Sequence, residues 1–162
     1  MPIPGRGHKS YIQIGKQTAA GTPAAAAYRN ELISADIHPE MGLIPDPSLN
    51  DQPSRRGVFQ GSIVYRGTVV FRVNYQGMEE LFRAAFGSYT AGSTVDSAKD
   101  QTFKEQGSLF FYSIELQQGA PQDVTTVTRY TDAIITGITI RATAGGGADA
   151  MLQAELSILA AG

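Results

Sequence analysis

The chain has 162 residues, of which 42% are hydrophobic and 17% are charged, with a net charge of −2 and a pI of about 5.6. This length can bury a sizeable core, and the charged fraction lies below the roughly 25% that is usual for globular domains. The slightly acidic balance argues against nucleic-acid recognition, which needs a basic stripe. Because cysteine is absent, disulfides, thiol nucleophiles and cysteine-type zinc sites are excluded.

The first segment, Met1–Ala27, is rich in glycine and proline and is predicted to be an extended N-terminal arm. Its one alternating patch is Tyr11–Ile14. The segment lacks the apolar core of a signal peptide. No apolar run in the chain approaches the roughly 20 residues that a membrane-spanning helix needs.

A long polar loop is predicted at Met41–Arg56, after a strand over Tyr28–Pro39 that Pro39 is expected to end. Loops of this length without structure of their own are usually functional or disordered. Its three prolines exclude a central strand but allow an extended hairpin arm. We therefore interpret this loop as a segment that holds a neighbouring molecule.

The strongest periodic signal is Gly57–Gln76, in which apolar side chains alternate with polar ones from Ile63 to Tyr75. A hairpin turn at Arg66-Gly67 would move Arg72 onto the apolar face, since a shift of one residue reverses every side chain. The pattern therefore predicts one long strand that bends at Gly67.

One helix is predicted over Gly77–Gly87. Its apolar side chains recur at helical spacing: Met78, Leu81, Phe82 and Ala85. Glu79 and Glu80 lie in the first turn, where the helix dipole favours negative charge, and Gly87 provides the left-handed stop. Because so short a helix is marginal alone, we expect it to pack on a sheet.

The remainder is predicted as a small-residue loop, Ser88–Lys99, followed by strands at Leu109–Leu116, Val124–Tyr130, Ala133–Thr143 and Leu152–Ile158. In the strand Ala133–Thr143, alternation is expected to point Ile134, Ile138 and Ile140 inward. The predicted fold is mainly β, a β-sandwich or partly closed antiparallel β-barrel with one short helix at about 77–86. We expect one domain over 1–162, with the long inter-subunit loop at about 41–56.

Residues able to support chemistry are few. The only histidines are His8 and His38. Asp46, Ser48 and Asn50 have the spacing of a calcium loop, but the glycine and glutamate that such a loop requires are missing. No Gly-x-Ser-x-Gly elbow is present. We predict no catalytic residue, metal or cofactor, and therefore no enzyme.

Three segments in order carry a family resemblance: Gly15–Pro23, the glycines Gly61 and Gly67 of the long strand, and Gly77–Gly87. Together with the long polar loop, they resemble the major tail tube proteins of long-tailed, siphovirus-like bacteriophages. Some relatives carry an immunoglobulin-like domain at the C-terminus. This sequence stops after its last strand, and we expect it to lack that domain.

The resemblance implies a structural virion protein that forms hexameric rings, stacked into the hollow tail tube through which genome DNA is ejected. The implied partners are other copies of the chain, the tail tip or baseplate initiator, the tape measure protein and the tail terminator. DNA would pass without specific binding, and no membrane is involved. Assembly would occur in the bacterial host cytoplasm. Physically, a head-to-tail interface that does not close produces open stacks.

Under this resemblance the long loop reaches the adjacent ring. Its expected contacts are the apolar Leu43, Ile44 and Leu49 and the polar Asp46, Asp51, Arg55 and Arg56. The lumen is expected to be neutral or negative, because cationic walls would hold DNA phosphates. Glu115 and Glu155 alternate out of the core and are the candidate lumen carboxylates.

Two other functions remain open from the sequence. The first is a ligand- or carbohydrate-binding β-sandwich module, which the absence of tryptophan disfavours. The second is a tube protein of a contractile tail or of a type VI secretion system.

Overall fold

A computed structural model describes residues 10–25, 28–45, 58–74, 77–95, 98–118, 126–142 and 151–161. The strands are β1 (Tyr11–Lys16), β2 (Tyr28–Pro45), β3 (Val58–Arg72), β4 (Gly87–Val95), β5 (Ala98–Glu105), β6 (Tyr112–Gln118), β7 (Thr126–Arg141) and β8 (Gln153–Ala161). One helix, α1 (Met78–Phe86), lies between β3 and β4. Within these ranges no helix is long and apolar enough to cross a membrane.

Six antiparallel strands form a closed barrel in the order β1-β2-β3-β8-β7-β6, with β6 pairing back to β1. The strands β4 and β5 form a separate two-stranded sheet. The mainly β prediction with one short helix is confirmed, and the barrel is fully rather than partly closed.

The barrel interior is filled by one face of each alternating strand. Its fully buried side chains include Ile12, Val69, Phe71, Ile114, Leu156 and Ile158. Removing such a side chain from water contributes about 1.5–3 kcal/mol. The helix adds Leu81 and Ala84 to the same core. Leu81 belongs to the predicted apolar stripe, whereas Ala84 is buried in place of the predicted Ala85, which is only partly buried.

The N-terminal segment differs from the expected arm because Tyr11–Lys16 is a barrel strand. Ile12 and Ile14 are buried in the core, and β1 closes the barrel by pairing with both β2 and β6. The chain after β1 is also held: the Gly21 amide donates a 2.7 Å hydrogen bond to the Asp132 carboxylate. Burial of two isoleucines outweighs the glycine and proline content that favoured an arm.

The prediction that Pro39 ends its strand is wrong, because β2 continues to Pro45. Proline is tolerated in an edge strand, and β1 pairs with β2 only over Tyr28–Glu31. The predicted loop therefore starts late: Met41–Pro45 is strand, paired with β3. The remainder of that loop lies outside the described residues.

Two further strand predictions are corrected. Most of the predicted loop Ser88–Lys99 belongs to the β4–β5 hairpin. The two strands predicted near residues 124–143 are one strand, β7, with register shifts against its neighbours. These shifts bring Ile135 to a buried position, where simple alternation had placed Ile134.

The helix and the long strand are confirmed. Gly77 and Gly87 flank α1 with positive φ values of 96° and 85°, and the Gly87 amide donates to the Arg83 carbonyl. The β3 strand runs through Gly67 without a turn. A Cβ at Gly67 would lie 2.7 Å from the Ile37 Cα and would also collide with the Asp36 carbonyl oxygen. Only glycine therefore allows β2 and β3 to approach this closely.

We expect Gly67→Ala to lower the free energy of unfolding by at least about 2 kcal/mol, because the clash is with backbone that cannot rotate away. Gly107→Ala is the matched control, since nothing lies within 4 Å of the position of its Cβ, and it should change stability by less than about 0.5 kcal/mol. Urea unfolding followed by circular dichroism measures both. Equal effects in the two variants would contradict the close approach.

The carboxyl of Glu80 gives a pH-dependent expectation. Burial raises the pKa of Glu80 above its ordinary 4.5, and the nearby Arg83 guanidinium opposes the shift only in part. The folded state therefore retains a proton that the unfolded chain releases. The resulting stabilisation is complete below about pH 4.5 and is lost as the pH rises through the folded pKa.

Glu80→Gln removes this titration. We expect the Tm of the variant to rise relative to that of the wild type between about pH 4 and about pH 7. The exposed Glu105→Gln controls for the loss of one carboxylate. A Tm difference between Glu80→Gln and wild type that stays constant with pH would contradict the burial effect.

Candidate assembly interface

The ends of β2 and β3 extend past the barrel as a two-stranded ribbon formed by Met41–Pro45 and Val58–Ile63. On β3, pairing with β8 starts only at Val64, so the ribbon has no third strand among the described residues. Four apolar side chains near its tip are exposed: Leu43 (69%), Ile44 (55%), Val58 (61%) and Phe59 (61%).

These side chains occupy both faces of the ribbon. Ile44 lies directly opposite Phe59, and its neighbour Leu43 lies opposite Gln60, so Leu43 and Ile44 point to opposite sides. Exposed apolar patches on a folded protein usually mark interaction sites. A ribbon that is apolar on two sides is suited to contact on both sides.

The ribbon joins the barrel at a pair of glycines. The register of β2 against β3 shifts between Met41 and Leu43, and a Cβ at Gly61 would lie 2.8 Å from the Gly42 carbonyl oxygen. Such irregularities bend a ladder and redirect its side chains. The ribbon can therefore run in a different direction from the barrel strands that it continues.

The predicted loop contacts fall into two groups. Leu43 and Ile44 lie on the ribbon and are exposed, as an intermolecular role requires. The other five lie outside the described residues: Asp46, Leu49, Asp51, Arg55 and Arg56. The sequence interpretation missed Val58 and Phe59, whose signal was an apolar pair just before the long alternating strand.

A four-stranded part of the barrel has two free lateral edges. In the order β2-β3-β8-β7, the β2 edge is unpaired beyond Leu32, because β1 ends its pairing there. At the opposite side, β6 pairs with β7 only as far as Ala133. Residues 33–45 of β2 and 134–141 of β7 therefore have no strand partner on these sides within the described ranges.

The outer face is the side of this four-stranded part that points away from the barrel core, over residues 31–40, 64–72, 134–141 and 153–161. Its centre is a groove that combines the hydroxyls of Thr68, Thr136 and Ser157 with charged and apolar residues, namely Asp36, His38, Arg66, Ile158 and Leu159. The Thr136 hydroxyl donates to the Ser157 carbonyl at 3.2 Å. Among the residues that the structure describes, no phenylalanine, tyrosine or tryptophan lines this groove.

Charged side chains on the outer face are arranged as cross-strand pairs. The shortest nitrogen-to-oxygen distances are 3.8 Å for Arg66–Glu40, 3.1 Å for Arg72–Glu31 and 3.1 Å for Arg141–Glu155. In the described part of this face, every arginine therefore has a carboxylate within 4 Å. Asp36 adds a further negative charge, 3.9 Å from the His38 ring.

The two predicted lumen carboxylates both point out of the barrel core but are not on one surface. Glu155 lies on the outer face, next to Arg141. Glu115 lies on β6 and accepts a hydrogen bond from the Arg129 Nε at 2.7 Å. Of the two, Glu155 alone therefore belongs to the outer face.

Ligand-binding chemistry finds little support among the described residues. No group of three or more histidine, aspartate or glutamate side chains there is arranged to hold a metal ion. His38 is exposed beside Asp36, whereas His8 lies outside the described ranges. In the barrel core, burial raises the pKa of the Tyr112 phenol far above its ordinary value, so this hydroxyl stays protonated.

Comparisons with known proteins identify the family. The family model described as phage tail tube protein matches residues 7–162. Among solved structures, one described as the crystal structure of Hcp protein is similar, with 12% identity, 92% of this chain and 86% of that chain covered, and a TM-score of 0.40. No curated protein gave a significant match. Because the family model spans nearly the whole chain, the protein belongs to the phage tail tube protein family.

Proposed function

We propose that this chain is the structural subunit of a hollow phage tail tube, built from stacked rings through which genome DNA leaves the virion. The two free edges of the four-stranded part carry this proposal. Six copies per ring follow from the family resemblance. The role is mechanical and involves no catalytic step.

Ring formation follows from joining the two edges head to tail. The free edge of β2 on one copy would pair with the free edge of β7 on the next, and the strand directions alternate correctly for antiparallel pairing. Pairing would satisfy exposed backbone N–H and C=O groups, which are otherwise a liability at a sheet edge. Because the contact joins two different surfaces, it can close into a ring.

Such a ring has a defined inside. The core, β1, β6 and α1 all lie behind the four-stranded part, so this bulk occupies the outer side of the ring. The face called the outer face above, because it points away from the barrel core, would then point toward the ring axis and line the lumen. Its paired arginines and its hydroxyl groove make it a nearly neutral wall, in keeping with passage of a polyanion.

Ring stacking is assigned to the ribbon. Its apolar side chains on two faces would insert between two subunits of the next ring, and repeating this contact along the axis gives an open stack.

The tail tip or baseplate initiator and the tail terminator would bind the exposed ends of the stack, and the tape measure protein would occupy the lumen. Assembly would take place in the host cytoplasm.

The edge contact can be trapped chemically, because the chain has no native cysteine. We expect the double variant His38→Cys/Thr139→Cys, treated with a flexible bismaleimide, to give a ladder of covalent oligomers that ends at six. Each single variant is the control and should give no ladder. Denaturing electrophoresis measures the products. Dimers from His38→Cys alone would instead indicate that two β2 edges pair with each other.

The stacking contact can be tested at the ribbon tip. We expect Ile44→Ser/Phe59→Ser to abolish long tubes while changing stability by less than about 1 kcal/mol, because both side chains are exposed and make only a cross-strand pair. Ile44→Leu/Phe59→Leu keeps the apolar surface and should still form tubes.

Negative-stain electron microscopy over a concentration series measures this effect, with wild type alongside. Rings without stacks in the serine variant would support the assignment. Normal tubes in that variant would remove the ribbon from the stacking contact.

A further inference from the structure

Three arginines on the outer face are exposed enough to reach a large ligand. The exposed fractions of their side chains are 61% for Arg66, 39% for Arg72 and 71% for Arg141. Arginine presents a planar fork that binds phosphate oxygens in pairs. Arg66 and Arg72 lie on β3 and Arg141 lies on β7, so without their neighbours these side chains would offer phosphate-binding groups on two strands of the face.

Each arginine instead faces a carboxylate on the adjacent strand. Glu31 lies across from Arg72, one step beyond the Leu32–Phe71 pair. Glu40 lies two positions along β2 from the partner of Arg66, and Glu155 lies two positions along β8 from the partner of Arg141. Direct and diagonal neighbours of this kind are within reach of long side chains.

Folding does not require these pairs. Exposed ion pairs contribute only about 0.2–1 kcal/mol each, and each of these pairs has at least one side chain that is more than half exposed. The three ion pairs therefore contribute little to stability, and what they share is their position on the outer face.

We propose that Glu31, Glu40 and Glu155 mask the three arginines, so that this face does not hold DNA. This assignment rests on the proposed function, which places the outer face at the lumen. An unmasked arginine would exchange condensed counterions for a DNA phosphate and gain affinity. A carboxylate beside the guanidinium offsets its charge, and in the Arg72–Glu31 pair it also accepts a hydrogen bond from the arginine at 3.1 Å, so DNA gains little by stopping there.

The test measures binding of a fluorescein-labelled 30-base-pair DNA to the full chain, kept monomeric by dilution so that the face is accessible. At about 50 mM salt, we expect Glu31→Gln/Glu40→Gln/Glu155→Gln to bind at least about tenfold more tightly than wild type. With three phosphates neutralised, the slope of log affinity against log salt should be about −2.7, so that affinity falls about 40-fold between about 50 and about 200 mM.

A matched double variant separates masking from net charge. Asp100→Asn/Glu105→Gln removes two exposed carboxylates that lie on β5, away from the outer face, and that pair with no arginine among the described residues, and it should leave DNA binding close to that of wild type. The masking double variant with the same charge change is Glu31→Gln/Glu155→Gln, which should bind DNA more tightly than the control. Equal gains in these two double variants would overturn the proposal, as would wild-type binding as tight as that of the unmasked triple variant.

Folding and assembly are checked on the same samples. Circular dichroism confirms the fold, and the single variants Glu155→Gln and Glu105→Gln repeat the comparison if any of the multiple variants is unfolded. Electron microscopy of wild type tests tube formation separately. Tubes without a gain of DNA affinity in the unmasked variant would refute the masking alone. A gain without tubes would refute the tube role and leave the masking of this face standing.

Discussion

The structure depends on a mismatch in strand length. The β2 strand has 18 residues, whereas its barrel neighbour β1 has six and pairs with it over only four register positions. On the opposite side, β6 leaves β7 at Ala133. The short strands β1 and β6 therefore close the barrel, whereas the long strands extend past them. The long strands β2 and β7 provide the two open edges, and β2 and β3 provide the ribbon. One set of hydrogen bonds closes the barrel, and the backbone groups along the two edges have no strand partner among the described residues.

The approach of β2 to β3 makes this arrangement possible. At Gly67 the two backbones are too close for any side chain, and this position lies in the long ladder from which the ribbon extends. Gly61 allows a second close approach, to the backbone of Gly42, where the ribbon leaves the barrel. Glycine is thus required at two points of the ladder, while Val69 and Phe71, beyond Gly67, anchor β3 in the core.

Several elements could be predicted from the local sequence pattern, and a few residues show where such a prediction fails. The alternation around Val69 and Phe71 and the helical spacing around Leu81 survive in the structure because both encode burial directly. Pro39 was misread, since a proline is acceptable in an edge strand and the sequence does not show which strands are edges. Ile134 was misread because a bulge shifts the alternation of β7. The β4 segment GSYTAGSTV has too few large apolar side chains to show a period.

By itself, the sequence determined the class of fold, the positions of the long strand and the helix, and the family. The fold class and the two elements follow from periodicity within short windows and from glycines at fixed positions, and the family follows from the resemblance of segments taken in order. All of these are read along the chain without knowledge of its packing. The tertiary structure alone decided that the barrel closes, which edges stay free and which carboxylate faces which arginine. Those features join residues far apart in the chain, such as Arg72 and Glu31, 41 positions apart, and they depend on strand order and register. Neither strand order nor register is written in any single segment, because each results from the packing of all the strands around one core.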